Sequence, residues 1–325
     1  MTLLLTEADV RSLLTMPLAL QAVEDAFQRV AIGAAQFHSR QRLHLPGHSY
    51  LHYMAAADGT GGYMGMKIYT SSRAGLRFLV PLFQAETGEL LALMQGNYLG
   101  QMRTGAATGL ATRLLARADA RIVAIVGTGL QARTQLEAVV AVRKIEHIRA
   151  FGRDPGRRSI FAREMEGKLG VPIEAVPSVE EAIRDADILI TSTTASQPVV
   201  EGKWLRAGMH INAIGANFPQ KAELDAEAVN RADVIFVDSR EQSKLEAGDL
   251  IQAFQENQPC WDDVKELSDL VAGRAEGRTS RQQITLFKSN GIAIEDIVTA
   301  GRVYELALQR RIGSNVELWK SNSAG

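Results

Sequence analysis

Lys67 is the single lysine in the apolar segment YMGMKIYTSS, which runs from Tyr63 to Ser72. A lysine in such surroundings is commonly a side chain at a strand edge whose amine reaches water. The alternative is a desolvated amine whose pKa burial lowers, so that it can exchange a proton at neutral pH. The segment alone favours the structural interpretation, and the rest of the chain has to decide between the two.

A second candidate for chemistry is the pattern G-x-G-x-x-A, formed by Gly127, Gly129 and Ala132 between an apolar strand and a helix. The first glycine permits a tight turn, the second lets the backbone approach a pyrophosphate, and the alanine lets helix and strand pack closely. The helix N-terminus supplies N–H groups and the positive end of its dipole. The pattern predicts a dinucleotide site. The alternative is a glycine-rich turn in a fold without a cofactor.

The end of the next strand, AFGRDPGRR, bears on the choice of dinucleotide. Gly152 stands where an NAD enzyme carries an acid for the ribose hydroxyl, and Arg153, Arg157 and Arg158 follow it. A missing acid and nearby guanidinium groups favour a 2′-phosphate, so NADP(H) is predicted over NAD(H). Asp154 is an alternative ribose acceptor, because strand ends predicted from sequence are uncertain by a residue or two.

The organisation of the chain predicts an α/β protein with a Rossmann-type doubly wound parallel sheet and a smaller α+β domain. From residue 121 to residue 291, β-rich and helical patterns alternate at the spacing of a parallel sheet. Before that, successive strand patterns include FLVPLFQ and ELLALMQ around AETG, which indicates a hairpin in a mixed or antiparallel sheet. We expect a substrate-binding and dimerisation domain over 1–117, completed by the C-terminal helix and tail at 302–325, and a cofactor domain over 118–301.

The charge balance and the cysteine count limit the kinds of partner and site that the protein can have. With 36 Lys and Arg against 37 Asp and Glu, no basic excess exists to attract nucleic acid or an anionic membrane. Cys260 is the only cysteine, so no intrachain disulfide can form, and no metal site is predicted. The first residues have the pattern of a strand followed by a helix rather than a signal peptide, and no apolar run approaches the ~18 residues of a membrane span. We therefore expect a cytoplasmic protein.

Taken together, these segments resemble the ornithine cyclodeaminase/mu-crystallin family, almost from end to end. The resemblance rests on six stretches: GMKIY around Lys67, Glu86–Thr112, Gly127–Ala132, Gly208–Asn217, Val237–Leu250 and Ile284–Asp296. It implies a homodimer formed through the first domain, a Rossmann domain holding NAD(H) or NADP(H), and a substrate that is an α-amino or α-imino carboxylate.

The resemblance also assigns roles. It implies a lysine at Lys67 and carboxylate-binding arginines at Arg103 and at Arg42, with Arg40 as an alternative match. The chemistry agrees, since a planar guanidinium suits a carboxylate and a lysine near the reacting nitrogen can move a proton. We expect Arg103 to lie at a helix N-terminus, where a bound anion is favoured. By this interpretation Lys67 has apolar neighbours because it points into a pocket.

Two departures bear on the reaction. Cyclodeaminases of the family carry an acid at the place of Asn217, and an amide cannot act as a base. They also carry a glutamate where the loosest part of the alignment places His52. We therefore predict reduction of Δ1-pyrroline-2-carboxylate or Δ1-piperideine-2-carboxylate to the L-amino acid by NAD(P)H. Cyclodeamination of L-ornithine to L-proline and ammonia, oxidation of alanine, and a crystallin-like protein that only binds NADP(H) and a ligand remain the alternatives.

The candidate site residues follow from these matches. Those at the catalytic centre are Lys67, Arg103 and Asn217. Those for the substrate are Arg42, His52, Met54, Lys67 and Arg103. Those for the cofactor are Thr104, Gly127, Thr128, Gly129, Leu130, Gln131, Ala132, Gly152, Arg153, Asp154, Arg158, Thr193, Thr194, Gly215, Asn217, Asn290 and Gly291. Asp225 is expected to cap a helix, and His210 to be a packed core residue.

Overall fold

A computed structural model of the chain describes residues 1–254 and 260–318. They divide into two compact units, one of Met1–Arg103 with Ile292–Gly325 and one of Thr104–Gly291. Their limits fall earlier in the chain than the domain limits expected from sequence, at Arg103 rather than residue 117 and at Ile292 rather than residue 302. The last part of the expected C-terminal segment, 319–325, lies outside the described residues.

The first unit is built mainly from strands, as its alternating patterns predict. Its elements up to the unit boundary are β1 (Thr2–Leu5), α1 (Glu7–Leu13), α2 (Met16–Ala31), β2 (Ala35–Phe37), β3 (Gln41–His44), β4 (Tyr50–Asp58), β5 (Tyr63–Ser72), β6 (Gly75–Gln84), β7 (Leu90–Gln95) and α3 (Asn97–Leu115), the last of which continues into the second unit.

The second unit alternates strands and helices. Its elements are β8 (Ile122–Val126), α4 (Leu130–Val142), β9 (His147–Phe151), α5 (Pro155–Leu169), β10 (Ile173–Ala175), α6 (Val179–Ile183), β11 (Ile188–Thr191), β12 (His210–Ala213), α7 (Ala226–Asn230), β13 (Val234–Val237), α8 (Arg240–Glu246), α9 (Gly248–Phe254), β14 (Lys265–Glu266), α10 (Leu267–Val271) and β15 (Thr285–Lys288). The chain then returns to the first unit with α11 (Ala293–Arg310) and β16 (Ser314–Val316).

The sheet of the first unit is mixed. Its described strands run in the order β16-β1-β7-β6-β5-β4-β2, with β3 also paired to β4. The hairpin predicted around AETG is formed by the antiparallel strands β6 and β7, whereas β1 adds to β7 in parallel. The first helix begins where the sequence predicts, because Thr6 and Asp9 form a reciprocal capping box.

The last helix packs onto the first unit, as expected. Helix α11 contacts α2, β4 and β5. On these strands alternate side chains face the helix, so that Met54 and Lys67, which are opposite each other in the antiparallel register, are both buried. A Cβ on Gly65 would lie 2.8 Å from Cδ1 of Ile297, so strand and helix approach closely at this point. The carboxylates of Glu295 and Asp296, in the first turn of α11, therefore lie on the same face of the sheet as Lys67.

The sheet of the second unit is wholly parallel over its described strands, in the order β10-β9-β8-β11-β12-β15-β13-β14. This is the predicted doubly wound topology, with helices between the strands. The strand order reverses at β8, with β9 on one side and β11 on the other. In such sheets ligands bind at the carboxyl ends of the strands beside this reversal. None of the helices within residues 1–254 and 260–318 combines the length and the apolar composition of a membrane span.

Candidate functional site

Lys67 lies on β5 and is only 3 % exposed. Its amine donates to both carboxylate oxygens of Asp296, at 2.9 and 2.7 Å. Burial, followed by the positive charge of Arg103, lowers the pKa of Lys67 to about 7, although the charge of Asp296 opposes the shift. The structure therefore supports the desolvated-amine interpretation over that of an amine that reaches water. A buried lysine with a pKa near neutrality can both donate and accept a proton.

Arg103 joins the same cluster. Its Nη1 donates to Glu295 at 2.8 Å and its Nε donates to Asp296 at 3.0 Å. Both carboxylates are fully buried, so each cation is held by an acid from which water is excluded. Glu295 and Asp296 were missed from the sequence, although their segment carries the family resemblance.

The expected place of Arg103 at a helix N-terminus is wrong. Helix α3 begins at Asn97, so Arg103 lies in its second turn. The helix N-terminus is already occupied by an anion from within the chain, because the carboxylate of Glu7 accepts from the N–H groups of Asn97 and Tyr98 at 2.6 and 2.9 Å. Arg103 is thus positioned by its two acids and not by a helix end.

The structure distinguishes the two early arginines. Arg40 is buried, and its charge lowers the pKa of Lys67. Arg42, on β3, is half-buried and lies opposite His52 in the strand register. Arg40 therefore belongs to the Lys67 cluster, whereas the charge of Arg42 acts on His52 and is not among the causes of the shift at Lys67.

His52 is a buried and neutral side chain. It stacks on Tyr69 with ring centroids 4.3 Å apart, and its Nε2 lies 3.0 Å from the hydroxyl of Ser71. Burial, then the charges of Arg42 and Arg40, lower the pKa of His52 to about 4. Its Nδ1 is buried and has no hydrogen-bond partner among the described residues. A neutral ring with an unused polar atom suits a polar but uncharged part of a ligand.

These groups have a defined balance of charge. Lys67 and Arg103 pair with the carboxylates of Glu295 and Asp296, and Arg40 lies near enough for its charge to lower the pKa of Lys67. The five side chains therefore carry one net positive charge when Lys67 is protonated. An anionic group is therefore favoured beside them. The first unit thus brings together Lys67, Arg103, His52 and Met54 from the candidate residues.

The predicted phosphate loop follows β8 in the second unit. Gly127 has φ +112°, a backbone conformation that residues other than glycine rarely adopt. A Cβ at this position would lie 2.2 Å from the carbonyl oxygen of Ser192. Gly129 caps α4, and a Cβ on it would meet nothing within 4 Å. The open space before the helix N-terminus fits a pyrophosphate. Arg133, missed from the sequence, donates to the carbonyl of Gly129 at 3.0 Å and holds the loop.

A cavity of about 470 Å³ lies at this loop. Eight of the candidate cofactor residues line it: Gly127, Thr128, Gly129, Gly152, Arg153, Asp154, Thr193 and Thr194. Further lining residues that the sequence did not single out for the cofactor include Phe151, Ser192 and Val199. The candidates Thr104, Leu130, Gln131, Ala132, Arg158, Gly215, Asn217, Asn290 and Gly291 belong to the second unit but are not among the lining residues.

Gly152, at the end of β9, lies close to the side chain of Thr128. A Cβ on Gly152 would lie 2.5 Å from the hydroxyl oxygen of Thr128. Asp154 is the N-cap of α5, and its carboxylate accepts from the N–H of Arg157 at 2.8 Å. Arg158 donates to the carbonyl of Gly152 at 2.9 Å and is used within the turn. Arg153 is exposed beside the cavity.

The loops after the other strands are held by buried carboxylates. Asp238 accepts from the N–H groups of Asn290 and Gly291 and from Ser289, which fixes the turn after β15. Burial raises the pKa of Asp238. Asp225 caps α7 and His210 is fully buried, as predicted. Among the described residues, no group of three or more His, Cys, Asp or Glu side chains could hold a metal ion.

Comparison with known proteins gives a consistent result. A model of the ornithine cyclodeaminase/mu-crystallin family matches residues 1–311. The structure of Thermococcus litoralis Δ1-pyrroline-2-carboxylate reductase in complex with NADH and L-proline aligns with a TM-score of 0.94 at 39 % identity, covering 97 % of this chain and 100 % of that one. An archaeal alanine dehydrogenase dimer with bound NAD aligns with a TM-score of 0.92 at 36 % identity, covering 98 % and 99 %. A Δ1-pyrroline-2-carboxylate reductase of Bacillus cereus is 41 % identical over 240 residues, which is 74 % of each chain.

Proposed function

Because the chain belongs to the ornithine cyclodeaminase/mu-crystallin family, we propose that it is an oxidoreductase that reduces a small cyclic imino carboxylate with NAD(P)H. The substrate is Δ1-pyrroline-2-carboxylate or Δ1-piperideine-2-carboxylate, and the product is the corresponding cyclic L-amino acid. Relatives that share 39 % and 41 % of their aligned residues with this chain are named for the first of these reactions.

The observation that carries the proposal is the buried amine of Lys67, whose pKa is lowered to about 7 and which Asp296 holds beside Arg103. Imine reduction needs one proton at nitrogen and one cation for the carboxylate. This cluster supplies both. A protein that only binds a ligand would have no use for a lysine whose pKa is tuned to neutrality.

The reaction can be written from the side chains. Arg103 and Arg40 attract the substrate carboxylate, which places the ring nitrogen toward Lys67. When bound, the reduced nicotinamide supplies the hydride that ends on the imine carbon. The Lys67 ammonium gives its proton to the imine nitrogen, and burial favours the neutral amine that remains. Asp296 keeps that amine in place through both of its oxygens, and solvent returns the proton after product release.

The second-unit residues fit a dinucleotide, since Gly127 and Gly129 leave a space before α4 that no side chain fills. We further propose that NADPH is preferred over NADH. Gly152 brings no acid to the cavity, the carboxylate of Asp154 is used to cap α5, and Arg153 is exposed at the rim. A guanidinium there suits a 2′-phosphate.

Alanine dehydrogenase is the second candidate function. It is favoured by the archaeal relative, which is similar over 98 % of this chain. Both reactions use the same parts, because alanine oxidation passes through an imino carboxylate. Ornithine cyclodeamination is disfavoured, since the amide of Asn217 cannot provide the base that this reaction places there.

We also propose a homodimer formed through the first unit. The sheet face opposite α11 carries half-buried apolar side chains, among them Leu51, Tyr53, Met66 and Ile68. An apolar face of this kind is typical of an interface between subunits, and the archaeal relative is a dimer.

One substrate panel tests the function. Purified protein is given Δ1-pyrroline-2-carboxylate, Δ1-piperideine-2-carboxylate, or pyruvate with ammonia, each with NADPH and with NADH, and L-ornithine with NAD. The reaction is followed by the loss of absorbance of the reduced nicotinamide, and the product is identified by chiral analysis. We expect fast imine-dependent oxidation of NADPH that yields the L-amino acid. Proline and ammonia from ornithine, without imine-dependent oxidation of NADPH, would show a cyclodeaminase. Binding of NADPH without any turnover would show a binding protein.

A further inference from the structure

Glu223 is a fully buried carboxylate that the reaction above does not use. It lies in the loop between β12 and α7, in the second unit. Its Oε2 accepts from the hydroxyl of Thr191 at 2.7 Å and from the N–H of Gly215 at 2.7 Å, and its Oε1 accepts from the N–H of Thr193 at 2.6 Å. One side chain thus joins the segments that follow two adjacent strands, β11 and β12.

The segments that follow β11 and β12 approach so closely that no side chain fits at Gly215. A Cβ on Gly215 would lie 2.4 Å from Oε1 of Glu223 and 2.4 Å from the carbonyl oxygen of Thr193. The segment at Thr193 also packs against the phosphate loop on its other side, because a Cβ on Gly127 would meet the carbonyl oxygen of Ser192. Thr193 is therefore held between Gly127 of the phosphate loop on one side and the carboxylate of Glu223 on the other.

The backbone that carries this carboxylate is held by a second buried group, the carboxylate of Asp249. The N–H groups of Glu223 and Leu224 donate to Oδ1 of Asp249 at 2.6 and 2.9 Å. Asp249 pairs with the fully buried amine of Lys288, on β15, at 3.0 Å. Burial, followed by the charge of Asp249, raises the pKa of Glu223, while the charge of Lys288 and the hydrogen-bond donors of Glu223 oppose the shift. Keeping a carboxylate here is therefore unfavourable in itself, which calls for a reason beyond packing.

The location supplies that reason. Thr193 lines the cavity beside β8, together with Val199, whose N–H donates to the backbone carbonyl of Glu223 at 2.8 Å. In a doubly wound sheet the adenosine half of a dinucleotide lies over the first two strands, here β8 and β9, and the other half crosses to the strands beyond the reversal. Thr193 shares its cavity with residues that follow β8 and β9. Gly215, the other residue that Glu223 holds, follows β12, beyond the reversal and therefore on the nicotinamide side.

We propose that Glu223 is a positioning residue for the nicotinamide half of the cofactor. The inference rests on the proposed function for its cofactor. The side chain fixes the segments at Thr193 and Gly215 against each other, so that the cavity wall is preformed before the dinucleotide binds. A preformed wall strengthens binding because less conformational freedom is lost when the ligand binds.

The test is the variant Glu223→Gln, which keeps the shape of the side chain but replaces one acceptor oxygen by a donor that faces the backbone N–H of Thr193 or of Gly215. We expect the Kd for NADPH and NADH to rise about tenfold, the loss typical of one hydrogen bond to a charged group. The Kd for ADP, which lacks the nicotinamide half, should stay within about twofold of the wild-type value. Glu227→Gln, an exposed glutamate on α7, is the matched control and should change neither.

The outcomes separate the explanations. An unchanged affinity for NADPH and NADH would overturn the inference, and so would an equal loss for the dinucleotides and ADP, which would show a general role in the fold. If Glu223→Gln does not fold, Thr191→Val removes one donor to the same carboxylate, and a selective loss of dinucleotide affinity is again expected. If the wild-type protein binds no nicotinamide cofactor, the proposed function itself is wrong.

Discussion

Lys67 and Asp296 form a buried pair in which the amine contacts both carboxylate oxygens, at 2.9 and 2.7 Å. One of those oxygens, Oδ1, also accepts from Nε of Arg103 at 3.0 Å. A single acid therefore positions the lysine that we propose as proton donor and the arginine that we propose as the cation for the substrate carboxylate. Because Asp296 keeps Arg103 as a partner when the lysine is removed, Lys67 can be substituted without leaving that acid unpaired.

The first prediction concerns Lys67. Lys67→Ala should lower kcat for imine reduction by about 10²–10⁴-fold, the usual contribution of a positioned acid. Lys67→Arg should not restore it, because a guanidinium does not release a proton near neutral pH. Single-turnover kinetics measure the effect, and the Kd for NADPH serves as the control and should not change. A Lys67→Ala enzyme with more than about a tenth of wild-type turnover would remove Lys67 from the reaction.

The second prediction is a dependence on pH. In the proposed reaction, reduction uses the protonated form of Lys67, whose pKa is lowered to about 7. The kcat/KM for the imine should therefore fall as pH rises through about 7, and that for oxidation of the L-amino acid should rise through the same range.

A variant tests the assignment of that pH dependence. The charge of Asp296 raises the pKa of Lys67, so Asp296→Asn should move both transitions to lower pH. The substrate's own titration is measured separately by its absorbance. Profiles that do not move in Asp296→Asn would assign the transition to another group.

The sequence predicted the parts of the fold that depend on local pattern. The alternation of strands and helices after residue 121, the hairpin of β6 and β7 and the glycine turn after β8 all occur where they were expected. Each is encoded by neighbours in the chain, by periodicity or by a turn residue. The residues that surround Lys67 are not, since Asp296 is 229 positions away.

Long-range partners were accordingly missed. Glu295 and Asp296 lie in the first turn of a helix, where acids are common for their effect on the helix dipole alone. Only the packing of α11 on β5 shows that they pair with Lys67 and Arg103. Likewise Arg40 and Arg42 alternate in the sequence, and only the fold shows that Arg40 is the buried one. The sequence explains Gly152 through the cofactor alone, whereas in the structure a Cβ there would also displace the side chain of Thr128.

The third prediction compares the two glycines of the phosphate loop. Gly127→Ala should destabilise the protein, by about 1–3 kcal/mol or more, since its φ is +112° and its Cβ would meet Ser192. Gly129→Val should leave the melting temperature nearly unchanged, because its Cβ meets nothing within 4 Å, but should abolish dinucleotide binding. Thermal unfolding and NADPH titration of both variants test the contrast. Unchanged NADPH affinity in Gly129→Val would mean that the pyrophosphate binds elsewhere.

The fourth prediction concerns cofactor choice. Arg153→Ala should raise the Kd for NADPH about tenfold and leave that for NADH unchanged, since only the former has a 2′-phosphate for the guanidinium. Arg163→Ala, at an exposed position on α5, is the matched control. Titration of wild-type and variant proteins with both dinucleotides gives the answer. A clear preference of the wild-type protein for NADH would instead indicate that Asp154 gives up its helix cap to bind the ribose.

The final prediction concerns assembly. Met66 and Lys67 are adjacent on β5 and therefore point to opposite faces of the sheet, so the half-buried Met66 belongs to the apolar face away from α11. If that face is paired with the same face of a second copy, a charge at Met66 would be buried twice in a symmetric interface. Met66→Glu should convert a dimer into a monomer in sedimentation at micromolar concentration. Leu245→Glu, at a 58 % exposed position of the second unit, should remain a dimer. A wild-type protein that sediments only as a monomer, or a Met66→Glu dimer as tight as the wild type, would exclude this face as the interface.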